Sequence, residues 1–488
     1  MTSRFVSLAL GLLLCGACGD ESTGGSEGPV DLGEGLGSAH PGDTITVFSR
    51  SYETVEIPPG VTVVVDGGAR VTIAGKEPTD VALRVRTAAG SVTHVSGLSI
   101  ESRGAAAIMI TGDGEAVIED ASIDCYAGLG IVADGQAKVT LRRVALRAVI
   151  ANPQGLKYPI ELSSYPAIGL AVANVPKLLL DDVKISGFAG FGAVLTGTDG
   201  RWELGSIHNN IGVGMFIDGG DFRLESVDIS GTYNCRHISC ALQNQVYGLA
   251  LSGRARLETA SLSLVENLGL GMLQHQARSH HSDLIAEGNK EMGIWVQHSE
   301  ADGDDPAIEI TGASSAFMGN GGAGLVFFGA GDLRVEDAHI GGTRELIQQC
   351  GEACSKRLAD GVQITGSTGD VILRGVEINT DNEHGDGRIG LLLDGALADG
   401  ATSLFERITI SGSQGNGIRS QRGAEELGEA VSVSQALAAA DVLLVADLEV
   451  ADVQGGLPSA SLIGENGLIG ENGLIGENGL IGENGRPE

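Results

Sequence analysis

A Gly-(apolar)-x-(apolar) unit recurs along this chain and constrains its fold more than any other feature. It stands at Gly130-Ile131, Gly169-Leu170, Gly192-Ala193, Gly214-Met215, Gly248-Leu249, Gly271-Met272, Gly293-Ile294, Gly324-Leu325, Gly361-Val362, Gly390-Leu391 and Gly417-Ile418. The intervals 169 to 192, 192 to 214, 248 to 271 and 271 to 293 are 23, 22, 23 and 22 residues. Between these units lie short alternating segments such as Val139-Thr140-Leu141, Leu224 to Ile229 and Leu333-Arg334-Val335. Short strands set between Gly, Asp and Asn corners at a fixed period mean stacked coils. A leucine-rich repeat has a similar length, but its Leu/Asn consensus is missing, and three short strands per coil fit instead.

The array resembles the right-handed parallel β-helix of the pectin-lyase-like superfamily. The opening Pro41-Gly42-Asp43-Thr44-Ile45-Thr46-Val47, followed by Tyr52 and Ile57-Pro58-Pro59-Gly60-Val61-Thr62, resembles that family's first coil. The resemblance implies an all-β, right-handed parallel β-helix solenoid over residues 41–453, with about 22–23 residues per coil. Each coil buries its inward residues on the coils above and below, at the strand spacing of about 4.8 Å.

The two ends differ from this middle. Arg4 and the apolar run Phe5 to Leu14 suit a signal peptide over residues 1–17 and are too short to span a bilayer. Leu14-Cys15-Gly16-Ala17-Cys18 resembles a bacterial lipobox, which implies lipidation of Cys18 and an anchor in the envelope; ordinary secretion is the alternative. By the family's sorting rule, Gly19 directly after the cysteine points to the outer membrane. Residues 18–40 then fit a flexible acidic tether. From 454 to 488 the chain is of low complexity, with Leu-Ile-Gly-Glu-Asn-Gly four times over. The unit resembles a left-handed β-helix hexapeptide, but four copies make little more than one coil and cannot bury themselves.

Longer intervals mark where loops leave the stack. Four insertions, about 151–166, 231–246, 342–359 and 379–388, fall at one corner, just before the Gly-(apolar) strand. Insertions at one corner of a repeat protein build a face, although solenoid corners also accept drift cheaply. Cys235 with Cys240, and Cys350 with Cys354, lie close enough to staple two of these loops as disulfides; metal ligation, with His237 assisting the first pair, is the rival arrangement. Cys125 is left over as a buried thiol.

The loop Asn379-Thr380-Asp381-Asn382-Glu383-His384-Gly385-Asp386-Gly387-Arg388-Ile389-Gly390 carries the catalytic letters of polygalacturonases. In that family the motifs lie on different coils, so that carboxylates converge across a sugar. Here they are packed into one loop, His384 lacks a preceding Gly, and Arg388-Ile389 is followed by Gly. Coincidence explains them better than catalysis. Asp381, Glu383, His384, Asp386 and Arg388 remain binding candidates, and His384 with Asp386 the catalytic candidates of this loop. Asp302, Asp304 and Asp305 form a second acidic turn that could hold Ca²⁺, the one cofactor the sequence suggests; neither turn has the EF-hand spacing, and a solvated turn is the default.

His275 and Gln297 occupy equivalent positions counted from Gly271 and Gly293. His298 is then expected close to His275, with Asp283 on the intervening turn and Asp218 one coil below at the same ladder position. That set permits an acid–base pair or metal site, against the ordinary alternative of an exposed polar ladder. A lyase needs a basic row to hold uronate carboxylates; Lys177, Lys184 and Arg201 are isolated, and only 4% of residues are aromatic for stacking on sugars. The net charge of −32 repels nucleic acid and polyuronates alike unless a cation bridges them. These features together indicate a lipid-anchored surface solenoid that binds an envelope or extracellular polymer, or a surface protein. The alternative is a carbohydrate-active enzyme, namely a polysaccharide lyase, glycoside hydrolase or epimerase.

Overall fold

The computed structural model describes residues 32–149, 167–233, 246–298, 306–349, 355–379, 389–394, 403–411, 418–421 and 444–450, apart from 49, 66–70, 76, 78 and 367–368. The chain divides into two compact units, Met1–Val227 with Tyr233–Gln243, and Asp228–Thr232 with Asn244–Glu488. Each is a stack of parallel coils.

In the first unit the repeated glycine units form one parallel sheet, here called the glycine sheet. Its register runs Leu83, Ile108, Ile131, Leu170, Ala193, Met215; the first two follow Ala82 and Ala107 and the other four follow repeat glycines, each lying over its counterpart in the next coil. The second unit does the same with Leu249, Met272, Ile294, Leu325, Val362, Leu391 and Ile418. Each coil then crosses to two further strands, such as Lys138–Arg142 and Ala145–Ala148, or Arg278–Ser282 and Ile285–Glu287, before returning. Parallel neighbours joined by such a crossover are right-handed in about 98% of cases. The expected all-β parallel β-helix, with three strands per coil, is what the chain forms.

A left-handed residue makes the bend between the two crossover strands in most coils. Asp182, Leu204 and Ser226 hold φ of 49°, 52° and 52° in the first unit, and Ser261, Asp283 and Asp337 hold 58°, 56° and 53° in the second. The crossover strands alternate buried and exposed positions, as in Glu115–Glu119 and Leu333–Glu336. The glycine strands do not alternate: Leu129–Asp134, Val213–Asp218 and Tyr247–Ser252 are buried at five successive positions. A parallel sheet buried on both faces reads as a continuous apolar run, and these strands have that signature.

The repeat glycine has a steric cause. In the second unit Asn267, Asn289 and Asn320 are fully buried and stacked, Nδ2 of each donating to Oδ1 of the next at 2.9 Å. The same amides reach backbone carbonyls of Ile229, Leu264 and Ala286 at 3.3, 3.0 and 2.8 Å. Thr232 closes one end of this ladder, its hydroxyl donating to Asn267 Oδ1 at 2.9 Å. A Cβ on Gly248, Gly271 or Gly293 would stand 2.7, 2.7 and 2.8 Å from the Nδ2 of Asn267, Asn289 and Asn320. The ladder occupies the space that any larger residue would need.

Within the span 18–40 expected to be a tether, the described residues from Leu32 on are ordered against the first coil. Residues Leu32–Gly37 form a helical turn with Leu32 and Leu36 buried, and the Leu32 amide donates to the Tyr52 hydroxyl at 3.2 Å. Two leucines at helical spacing cover apolar side chains of the first coil, the task of a capping element in a repeat protein.

Candidate functional site

Repeat glycines face the interior: a Cβ on Gly169 would meet the buried side chains of Ile185 and Phe188. The residues one and three places after each repeat glycine, such as Ile294 and Val296 or Leu325 and Phe327, are fully buried and face the interior, so those two and four places after it lie on the outer face of the glycine sheet, with the residue before the glycine. In the second unit this face is apolar along most of its length, with Leu270, Leu273, Met292, Ala323 and Val326 all 5% exposed or less. No Lys or Arg occurs on its strands from Tyr247–Ser252 through Gly322–Gly329.

Polar groups stand at particular rungs of this face. His275 is half-buried and in register with Gln297, as the spacing predicts. Burial holds the His275 imidazole below its usual pKa, and nearby His298 opposes protonation further, so His275 is neutral at neutral pH. Gln297 Oε1 and Trp295 Nε1 are buried without a hydrogen-bond partner. Gln363 is fully buried; its Nε2 donates to Asp360 Oδ2, while its Oε1 has no partner. Glu291 precedes the strand Met292–His298, and burial pushes its carboxyl up to about 7. Tyr247 is raised beyond its usual range by burial first and by the Glu291 charge second.

These groups form a face with one buried and one half-buried carboxyl, a half-buried imidazole, and orphaned donors and acceptors. Unpaired buried polar atoms each cost about 1–3 kcal/mol, so a ligand supplying hydroxyls would recover part of that free energy. Glu291, Tyr247, Trp295, Asp360 and Gln363 escape the sequence analysis because what singles them out is burial. Their one legible signal is position, since Tyr247 and Asp360 directly precede repeat glycines and Trp295 and Gln363 follow two places after them.

Two expectations about the histidine set are corrected. The strand paired with His275's strand on its N-terminal side is Tyr247–Ser252, so Asp218, which ends Val213–Asp218 in the first unit opposite Thr196, is not on an adjacent rung. The Gly248-Leu249 unit stands between them, so the repeat count itself puts Asp218 two units before His275. Asp283 belongs to the left-handed bend between the crossover strands, where its Oδ1 accepts from the Ser314 amide at 3.4 Å, and it does not join His275.

The loop holding Asp381, Glu383, His384, Asp386 and Arg388 lies outside the described residues, as do Asp302, Asp304 and Asp305. So do Cys18, Cys235, Cys240, Cys350 and Cys354. Cys125 is the buried free thiol expected, pushed up to about 12 by burial first and by the Asp124 charge second. Among the described residues no three His, Cys, Asp or Glu side chains are grouped to hold a metal. Lys184 and Arg201 are not a row but members of ion pairs on the crossover strands, with Asp182 and with Glu203 and Glu225.

No protein-family model matches the chain, and no curated protein matches it. Among solved structures it is similar to pectate lyase Pel9A at 9% identity and a TM-score of 0.35, over 63% of this chain and 72% of that one. The A-module of the Azotobacter vinelandii mannuronan C-5 epimerase AlgE4 is 15% identical at a TM-score of 0.29, over 86% of this chain and 89% of that one. A periplasmic alginate epimerase is 11% identical at a TM-score of 0.27, over 86% and 80%. Likeness this distant has no bearing on chemistry. By the register of its own strands the chain is a parallel β-helix, the architecture implied by its resemblance to the pectin-lyase-like superfamily.

Proposed function

We propose that this chain is an envelope-anchored binding solenoid whose ligand is a hydroxyl-rich, uncharged polymer, held on the outer face of the second unit's glycine sheet. The observation that carries this reading is the coincidence of three orphaned polar atoms, Trp295 Nε1, Gln297 Oε1 and Gln363 Oε1, on one face. Hydroxyl groups both donate and accept, so successive sugars of one polymer can pair with the indole N–H of Trp295 and with the carboxamide oxygens of Gln297 and Gln363, the last of them two rungs away. Around Glu291 the strands from Tyr247–Ser252 through Gly322–Gly329 carry no Lys or Arg to pair with a uronate carboxylate. In this reading Cys18 carries the lipid and the corner insertions flank the bound polymer; a protein partner on the same loops is the other non-catalytic possibility. The described hairpin of one insertion supports a staple, since it ends with Gln349 paired to Ser355, and Cys350 and Cys354 adjoin these two residues in the sequence.

A catalytic reading also has one observation in its favour, the Glu291 carboxyl held near 7, where a general acid works best. One experiment separates the two. The protein without its first 18 residues is incubated with neutral and uronic polysaccharides, with Ca²⁺ and then with EDTA, and both retention and new reducing or unsaturated ends are measured. Retention of a neutral polymer without product, weakened roughly tenfold in Trp295→Phe by loss of one hydrogen bond, supports binding. Product that disappears in Glu291→Gln supports the enzyme. Retention of neither polymer class overturns the polymer reading and leaves a protein partner. Anchoring is checked separately: Cys18→Ser moves the full-length protein from the membrane to the soluble fraction.

A further inference from the structure

The strand Ser355–Thr365 carries polar side chains at all three outward positions of the second unit's glycine sheet: Asp360 before its repeat glycine, and Gln363 and Thr365 after it. On the strands to either side the first two of these positions are apolar, Ala323 and Val326 on one and Ile389 and Leu392 on the other. Asp360 and Gln363 are fully enclosed, and Thr365 is 8% exposed. Polar groups set into an apolar sheet cost free energy unless they are paired. Among the described residues two of their atoms, Gln363 Oε1 and Thr365 Oγ1, have no hydrogen-bond partner.

Asp360 decides which end of the Gln363 carboxamide is left for a ligand. Its Oδ2 accepts from Gln363 Nε2. A carboxamide donates only from nitrogen and accepts only at oxygen, so turning it over would set Gln363 Oε1 against a carboxyl oxygen. Gln363 therefore offers an acceptor and no donor. Thr365 Oγ1, about 7 Å further along the strand, can do either. Phe328 lies beside Thr365 in register and is partly exposed. The next residue, Gly366, is exposed, and among the described residues nothing stands within 4 Å of where its Cβ would be. Solvent thus reaches this polar row at its Gly366 end.

We propose that Asp360 is the positioning residue of a sugar subsite on this strand. It holds Gln363 as an acceptor, so the subsite takes a hydroxyl group and rejects a carboxylate. The ligand is a neutral pyranose, entering at the Gly366 end with its apolar face on Phe328. One of its hydroxyl groups donates to Gln363 Oε1 and another pairs with Thr365 Oγ1. The inference rests on the polymer reading proposed above and adds to it the contact that selects neutral sugars.

The test measures retention of the full-length chain on cellulose, xylan, mannan and dextran, and on polygalacturonate, at one salt concentration. The native chain is expected to be held by a neutral polymer and not by polygalacturonate. Asp360→Asn frees the Gln363 carboxamide to turn, and retention on that neutral polymer is expected to fall roughly tenfold, the loss of one hydrogen bond. The double variant Asp360→Asn with Gln363→Glu reverses the pair. The side chain at 360 then donates, that at 363 keeps an oxygen toward the sugar, and the total charge is the native one. It is expected to recover most of the neutral binding, whereas a loss caused by disturbed packing would persist. Thr365→Val removes a hydroxyl that the fold leaves unpaired, so it should weaken retention roughly tenfold without lowering the thermal midpoint. Unchanged retention in Asp360→Asn, or no recovery in the double variant, overturns the positioning role while the polymer reading stands. Unchanged retention in Thr365→Val overturns the subsite, even where Asp360→Asn does not fold. A native chain held by no neutral polymer overturns the polymer reading and the subsite together.

Discussion

His281 and Glu291 titrate in opposite senses, and together they limit the pH range over which the second unit is stable. His281 is fully enclosed, its Nδ1 2.9 Å from Thr259 Oγ1 and its Nε2 without a partner. Burial first, and the charge of His280 second, push its pKa down to about 3. The unfolded chain takes up that proton from about 6.5 downward, so the stability His281 contributes is present above 6.5 and is lost as pH falls toward 3. Glu291 behaves inversely: the folded protein keeps its proton to about 7 while the unfolded chain releases it near 4.5. Its contribution is present below 4.5 and lost as pH rises through 7. Thermal unfolding followed across pH is therefore expected to give a dome with its maximum between these limbs. His281→Leu should flatten the acid limb and Glu291→Gln the upper one; a Glu291→Gln variant with an unchanged upper limb would show that the carboxyl is already charged in the fold. Neither residue is conspicuous in the sequence, where one is a histidine among several and the other a lone glutamate. A shift caused by burial becomes visible only when the neighbours are placed. His275 was legible because its claim rests on spacing alone.

At the scale of the element, the glycine repeat and the asparagine ladder are one device. Each repeat glycine leaves room for the asparagine of the following coil, and each asparagine ties the backbone of its coil to the next. A methyl group on Gly271 would stand 2.6 Å from Gly293 O and 2.7 Å from Asn289 Nδ2, and the first of these is backbone that cannot turn aside. Gly271→Ala is expected to destabilise by about 1–3 kcal/mol or more, the range for overpacking a closed site. Gly37→Ala, where nothing lies within 4 Å, is the neutral control. Asn289→Ala strips the Leu264 carbonyl of its donor and Asn267 Nδ2 of its acceptor, and is expected to cost about as much again. Denaturant unfolding of the three variants decides this; equal midpoints for Gly271→Ala and Gly37→Ala would mean that the ladder yields. The coil period was legible in the glycine intervals, and an Asn-x-x-x-Gly spacing at Asn210, Asn267, Asn289 and Asn320 was available beside it. The helical turn Leu32–Gly37 was not, because six residues among glycines are too few for a hydrophobic period to show.

Charge acts on the molecule as a whole, and it separates the ligand classes that the fold admits. Sixty-three acidic residues oppose thirty-one basic ones. Many of those cations are engaged on the crossover strands by acids one coil away, Arg142 with Glu119, Arg147 with Asp124, Arg334 with Glu309 and Arg374 with Glu406. What remains is a field of negative sign, and at about 0.1 M salt it reaches roughly 10 Å from the surface. A uronic polymer approaching the protein meets that field, and its retention should rise with salt and with Ca²⁺. An uncharged polymer held by Trp295, Gln297 and Gln363 meets no such barrier. Its dissociation constant is expected to change less than about twofold between low and high salt, because hydrogen bonds and stacking are barely screened. Measuring retention of both polymers against sodium chloride, with and without Ca²⁺, checks this directly. Weaker binding of the neutral polymer at high salt would place a charged group of the protein in the contact and remove the basis for assigning it to the apolar face. A flat response, lost in Trp295→Phe, would locate the polymer on the second unit's glycine sheet.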